Sequence, residues 1–273
     1  MLVFWRWLVR VVFLSVIVTD SIALARNSKD LVLVADPWCP FTCDANAGPQ
    51  GMMIDIARAI LEPLGYRVTY ENVGWTRALK GTAAGDYDAA VGTSLYEAPE
   101  LVMSTAPLGK IENGIFVLAS DPWRFTTLDS LTGRKLGIIM GYSYGESLDR
   151  YFLDNPDSVE VKSGEDALRK NILQLVNKRI DAVIDDVQVI AYTLQAMQIK
   201  DTVIQASSPG ALLDTTFDIE KDGLFIGISP KHPEAKAIAE ALGKGIEVLR
   251  SNGELAKILA RYNASDWKAP KQP

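Results

Sequence analysis

From residue 30 onward, short apolar runs alternate with amphipathic segments, and this alternation limits the fold more than any other feature of the chain. Residues 31–35 read as a strand. Residues 52–64 read as a helix, with Met53, Ile56, Ile60 and Leu64 at helical spacing and Gly65 as a stop signal. A strand at 67–71, a helix at 76–84 closed by Gly85 and a strand at 87–92 follow. The apolar run 114–119 is a candidate crossing strand. The pattern then restarts, with strands at 135–140, 182–185, 202–206 and 224–229 and helices at 144–153, 167–177, 188–197, 233–250 and 254–262. Such alternation implies an α/β fold with mostly parallel sheets flanked by helices. Breaks near 118–124 and 206–211 divide the chain in three. The middle third is a self-sufficient unit, and the outer thirds combine into a second. Two lobes joined by two crossover segments are expected: 26–118 and 208–262 in the first, 119–207 in the second, and 263–273 as a loose tail. That layout places a cleft between lobes.

The first 25 residues stand apart. Arg6 and Arg10 form a positive start, residues 11–18 are apolar apart from Ser15, and Ala23-Leu24-Ala25 is a small-x-small step before Arg26. This is the pattern of a secretory signal peptide cleaved after Ala25. The apolar core is short against the ~20 residues a membrane span needs. An uncleaved anchor is the alternative. Export implies an oxidising compartment, expected to be the periplasm. There Cys39 and Cys43, the only cysteines, read most simply as a disulfide. Its ring is small, so its role would be local, bracing the loop. A redox pair favours a two-residue spacing, whereas three residues intervene here. No metal or other cofactor is expected, since His232 is the only histidine. The net charge of -6 without a basic block argues against a nucleic-acid partner.

The loop Asp36-Pro37-Trp38-Cys39-Pro40-Phe41-Thr42-Cys43 follows the first strand. Its prolines make it stiff. Trp38 and Phe41 could form a ligand-facing wall or a buried plug, and the strand-end position favours the wall.

Several segments resemble the bacterial solute-binding proteins of the polar-amino-acid type, the two-lobed receptors of ABC importers. Gly51-Met52-Met53-Ile54-Asp55-Ile56 is similar to that family's first helix start. Trp75, Ala78-Leu79 and Gly85-Asp86-Tyr87-Asp88-Ala89 follow its next segment, and Ser104-Thr105-Ala106-Pro107 its Ser-x-Pro-Tyr element without the Tyr. Residues 128–137 resemble the opening of its second lobe, and 179–186 its Arg-x-Asp-Ala-x-x-x-Asp step. The resemblance implies a type II two-lobed fold and a hinge-bending receptor for a small polar solute. It also implies an inner-membrane ABC permease, not on this chain, as partner. A monomer is expected. One departure stands out. Glu97 occupies the place of the family's carboxylate-gripping Arg, which puts a plain α-amino acid in doubt and admits a cationic or polyhydroxylated solute. Alternatively, Glu97 faces solvent and Arg77 supplies the positive charge. Asp186 matches the family's amino-group acid. The candidate ligand residues are Trp38, Phe41, Trp75, Arg77, Thr93, Glu97, Tyr142, Ser143 and Asp186.

Three rival readings remain open. Gly141-Tyr142-Ser143-Tyr144-Gly145 matches the nucleophile elbow of hydrolases, with Asp185, Asp186 or Asp214 and then His232 downstream. The same residues also serve as a strand-to-helix turn whose backbone N–H groups and Ser143 hydroxyl hold a polar ligand group. A dehydratase-like activity on converging acids is the second rival, and a sensor that feeds no transporter is the third. The favoured reading has no catalytic residue.

Overall fold

The computed structural model describes residues 29–208 and 222–268. The expected leader and cleavage site, together with Asp214 and the end of the tail, lie outside these residues. Two sheets organise the chain. In the first, β2 (Arg67–Asn72), β1 (Asp30–Ala35), β3 (Ala89–Thr93), β11 (Gly223–Ile228) and β4 (Val102–Met103) lie in that order, with β5 (Gly109–Lys110) also on β11. In the second the order is β10 (Val203–Gln205), β6 (Asn113–Leu118), β9 (Ala182–Asp186), β7 (Leu136–Ile139) and β8 (Val159–Lys162).

Both sheets are mixed. β1 pairs parallel with β2 and β3, and β7 with β8 and β9, whereas β11 and β6 pair antiparallel to their neighbours. The cause is topological. β6 and β11 are the strands by which the chain enters a lobe from the junction. They therefore start at the edge where the parallel strands end, as the pairing of Asn113 with Asp186 and of Phe225 with Thr93 shows. β6 already belongs to the second sheet, so the first crossing falls at 111–112, ahead of the boundary expected at 118.

Helix α1 (Met52–Leu61) ends in a short 3-10 turn, Glu62–Leu64, and Gly65 closes it in the left-handed region. It buries Met53, Ile54, Ile56 and Leu61 against α6 (Ala235–Ser251), which contributes Leu242 and Ile246 to the same core. α7 (Glu254–Ala260) adds Leu255 and Leu259. In the second lobe one sheet face packs on α3 (Glu146–Asp154) through Leu148 and Phe152. The other packs on α4 (Ala167–Val176) and α5 (Val187–Ala196) through Ile172, Leu175, Ile190 and Leu194. α2 (Trp75–Ala84) lies beside β1 and β3 and brings Trp75 to the junction.

The loop after β1 is seated on the start of α1. Pro40 and Phe41 carbonyls accept from the Met52 and Met53 N–H groups at 2.8 and 3.0 Å, two donors that a helix start cannot satisfy internally. The Cys43 N–H donates to the Gln50 carbonyl at 2.8 Å. Gly51, at φ +116, lets this happen, because a Cβ there would lie 2.5 Å from the Phe41 oxygen and 2.6 Å from Thr42 Cα. The Cys39–Cys43 disulfide closes the loop across a Cα separation of 4.6 Å. With the turn already held by these backbone bonds, replacing both cysteines by serine is expected to cost about 2 kcal/mol, the chain-entropy value for so short a ring. Solute affinity should fall further than that stability loss alone would require. A urea titration beside a binding isotherm measures both. Unchanged affinity would make the disulfide ordinary packing.

Candidate functional site

The carboxyl ends of β1, β3 and β7 converge where the two lobes meet, the edge at which α/β sheets take ligands. A cavity of about 40 Å³ lies there. Asp36, Trp38 and Thr42 from the β1 loop line it, as do Trp75 at the start of α2 and Val91, Gly92 and Glu97 from β3 and the segment after it. Ile111 comes from the crossing segment, and Tyr142 and Ser143 from the second lobe.

Among the described residues, two side-chain hydrogen bonds join the loop after β1 to the second lobe. The Trp38 indole donates from Nε1 to Asp185 Oδ1 at 2.7 Å. The Tyr142 hydroxyl donates to Asp36 Oδ2 at 2.5 Å. Trp75 meets Tyr142 edge-on, with ring centroids 6.4 Å apart. Within the first lobe, Trp75 Nε1 donates to Glu97 Oε1 at 2.7 Å. Each indole is thus aimed at a carboxylate.

Burial dominates the chemistry of these acids. It pushes Asp36 up to about 6, offset in part by the Tyr142 bond. It pushes Glu97 up to about 7, with the charges of Asp36 and Asp149 adding to the effect and the Trp75 bond opposing it. Asp185 is also raised to about 7, and its Oδ2 is buried with no hydrogen-bond partner. The Tyr142 phenol is held well above its ordinary range, first by burial and then by Asp36 and Asp185.

Five of the residues expected from sequence line the cavity: Trp38, Trp75, Glu97, Tyr142 and Ser143. Four do not. Phe41 is buried in the first-lobe core and stacks on Trp38 at 4.6 Å, so the loop is plug and wall at once. Arg77 sits on the exposed face of α2, two residues from Trp75, where helical spacing turns it away. Thr93 is buried at the end of β3, beside the lining residue Gly92, and its hydroxyl donates to the Ser94 carbonyl. Asp186 caps α5, accepting from Gln188 and Val189 N–H, while its other oxygen accepts from the Glu112 N–H. With those bonds Asp186 is engaged in helix capping, and its neighbour Asp185 reaches the junction instead. Asp36 and Asp185 are the acids that sequence reasoning did not assign to the site. An acid closing a strand at the ligand edge was the available signal for Asp36.

The Gly-x-Ser-x-Gly turn is built for capping and contact. The Ser143 hydroxyl donates to Asp149 Oδ2 at 2.5 Å, and Asp149 Oδ1 accepts from the Tyr144 N–H at 2.8 Å. His232 is engaged elsewhere, with Nδ1 accepting from the Glu234 N–H in the first lobe. No hydrogen bond joins Ser143 to His232 among the described residues. Gly141 has φ +83, and a Cβ there would run into the Thr76 hydroxyl of α2, in the other lobe. Among the described residues no group of three or more His, Cys, Asp and Glu side chains could hold a metal ion.

Comparison with known proteins bears on this geometry. Residues 31–265 match the family model described as bacterial extracellular solute-binding proteins, family 3. Among solved structures, an amino acid ABC transporter substrate-binding protein, AbpA, from Streptococcus pneumoniae bound to L-arginine shares 23% identity at a TM-score of 0.66. The match covers 86% of this chain and 94% of that one. A structure from work on glutathione import via GshT and the cystine ABC importer TcyBC of Streptococcus mutans superposes at 0.70 with 16% identity, over 86% and 95% of the two chains. A histidine kinase sensor domain with similarity to periplasmic binding proteins superposes at 0.67 with 16% identity, over 85% and 95%. At these identities the likeness is one of fold. No curated protein sequence matches the chain.

Proposed function

Because the chain belongs to the bacterial extracellular solute-binding proteins of family 3, we propose that it captures a small polar solute between its lobes and presents the closed form to a membrane ABC importer. The observation that carries this reading is the junction itself. One cavity takes residues from both lobes, and the two bonds across it, Trp38 to Asp185 and Tyr142 to Asp36, exist only when the lobes are together. A ligand that bridges the same surfaces favours the closed form through contacts the open form lacks. The proposal places the protein in the periplasm, after removal of a leader that ends at Ala25.

The likeness to a kinase sensor domain supports a second destination for the same closed form. Crosslinking in the cell envelope separates the two. The importer reading expects permease subunits among the products, and a kinase in their place would replace that half of the proposal.

The binding reading also fixes what Ser143 should do. Its hydroxyl orients Asp149, so Ser143→Ala is expected to cost about 1 kcal/mol in stability, an ordinary hydrogen bond's worth. Solute affinity should fall modestly. Wild-type protein should hydrolyse no ester or amide faster than buffer does. Turnover that Ser143→Ala abolishes would make the chain an enzyme.

A further inference from the structure

Among the described residues, the cavity between the lobes carries acids and no base: Asp36 and Glu97 line it, and none of the described Lys, Arg or His residues does. Asp185 stands behind Trp38 with one carboxylate oxygen buried and unpartnered. Among the described residues, the titratable groups that act most on these acids are Asp149, Asp186, Tyr70, Tyr142 and Tyr144, and none of these is a cation. The two indole N–H groups are already spent on Glu97 and Asp185. The walls offer a solute carboxylate oxygens and aromatic ring surface, the two surfaces that attract an organic cation.

Resting on the solute-capture reading above, the geometry points to a compact amine that carries an ammonium group and no carboxylate as the solute of this cleft. A ligand carboxylate would meet Asp36 and Glu97 without a counter-charge, and like charges a few ångströms apart in a poorly solvated site repel strongly. An ammonium reverses the sign of that interaction and supplies donors to oxygens that burial has stripped of water. Size favours a small solute. A cavity of about 40 Å³ holds roughly three water-sized groups. Ethanolamine and ethylenediamine are probes of that size. A metal ion is a poor rival, since no set of three ligating side chains converges among the described residues. Proton occupancy gives the cleft its pH response. Asp36 near 6 and Glu97 near 7 are protonated in acid and charged above neutrality, so the amine binds better as pH rises.

Calorimetric titration of the leaderless protein near pH 8 tests this, with ethanolamine, ethylenediamine, glycine, L-glutamine and acetate as probes. At least one amine should bind one to one, while glycine, matched in size but bearing a carboxylate, should not. Glu97→Gln keeps an acceptor for the Trp75 indole and removes the charge. It should weaken the amine at least about tenfold, as should a shift to about pH 5. Asp185→Asn, which keeps the acceptor for Trp38, should weaken it as well and serves as the second variant should Glu97→Gln not fold. Failure of both amines to bind, equal binding of glycine, or indifference to both substitutions would overturn the cation inference. If L-glutamine binds and closes the lobes, solute capture stands and only the cation class falls.

Discussion

Ligand-free protein should lose stability on the order of 3 kcal/mol between pH 4.5 and pH 8, the reverse of what most carboxylates produce. Burial raises Glu97 from an ordinary 4.5 to about 7, Asp185 and its neighbour Asp186 from 3.8 to about 7, and Asp36 from 3.8 to about 6. Below about pH 3 each acid is protonated in both folded and unfolded chains, and the junction is at its most stable. As pH rises, the unfolded chain releases these protons first. The folded chain keeps them until about 6 or 7, so stability falls across that window and levels off above it. A single shift of the size seen at Glu97 corresponds to roughly 3 kcal/mol. These four acids lie close enough to interact, so their separate contributions do not add. The surface acids Asp121, Glu160, Asp166 and Glu247 are held low by basic partners and act in the opposite direction, but at lower pH. Urea titrations at several pH values measure the slope. The combined variant Glu97→Gln with Asp185→Asn should flatten part of the fall, since Asp36 and Asp186 keep their shifts, and be more stable than wild type near pH 8. A wild-type stability that rises from pH 5 to 8, or a variant with the same slope, would show that the junction acids are solvated.

Gly141→Ala should weaken solute binding at least about tenfold while leaving each lobe folded. Gly141 follows β7 at φ +83, a conformation that costs a non-glycine residue about 1 kcal/mol. The larger effect is between lobes, because the new methyl group would lie 2.4 Å from the Thr76 hydroxyl at the start of α2. That overlap exists in the closed arrangement, so the penalty falls on closure rather than on folding. Thr76 is β-branched and short, which limits how far it can withdraw. Adding Thr76→Ala to the variant should recover much of the lost affinity, leaving the backbone cost. Binding isotherms for the four proteins form a double-mutant cycle. No rescue by Thr76→Ala would mean that Gly141 matters to the turn alone.

These two glycine and acid effects show where sequence reading succeeds and where it stops. The strand and helix periods place Trp75, Glu97 and Tyr142 at strand ends and element starts, and those positions line the cavity. The four-residue edge strand at 159–162 gave too short an alternation to register. Arg77 was legible in principle, since a residue two positions from a buried Trp on a helix points away from it. Asp186 was harder. Adjacent strand residues face opposite sides, and nothing in the order Asp185-Asp186 says which side is the junction. The helix that follows supplies the missing cue, because an acid immediately before a helix tends to cap it. The partnering of Trp38 with Asp185 spans 147 positions and could come only from the assembled fold.

Closure around a solute is most directly read from the distance between the lobes. Cysteines introduced at the exposed Lys170 of α4 and Lys244 of α6 can carry a dye pair while Cys39 and Cys43 stay joined. The single-molecule energy-transfer distribution is then followed as the amine probes, the amino acids and a small-molecule extract of the producing cells are added. A shorter-distance population should grow with at least one of these and shrink in Gly141→Ala. A distribution that no addition moves would contradict a receptor that works by closing its lobes.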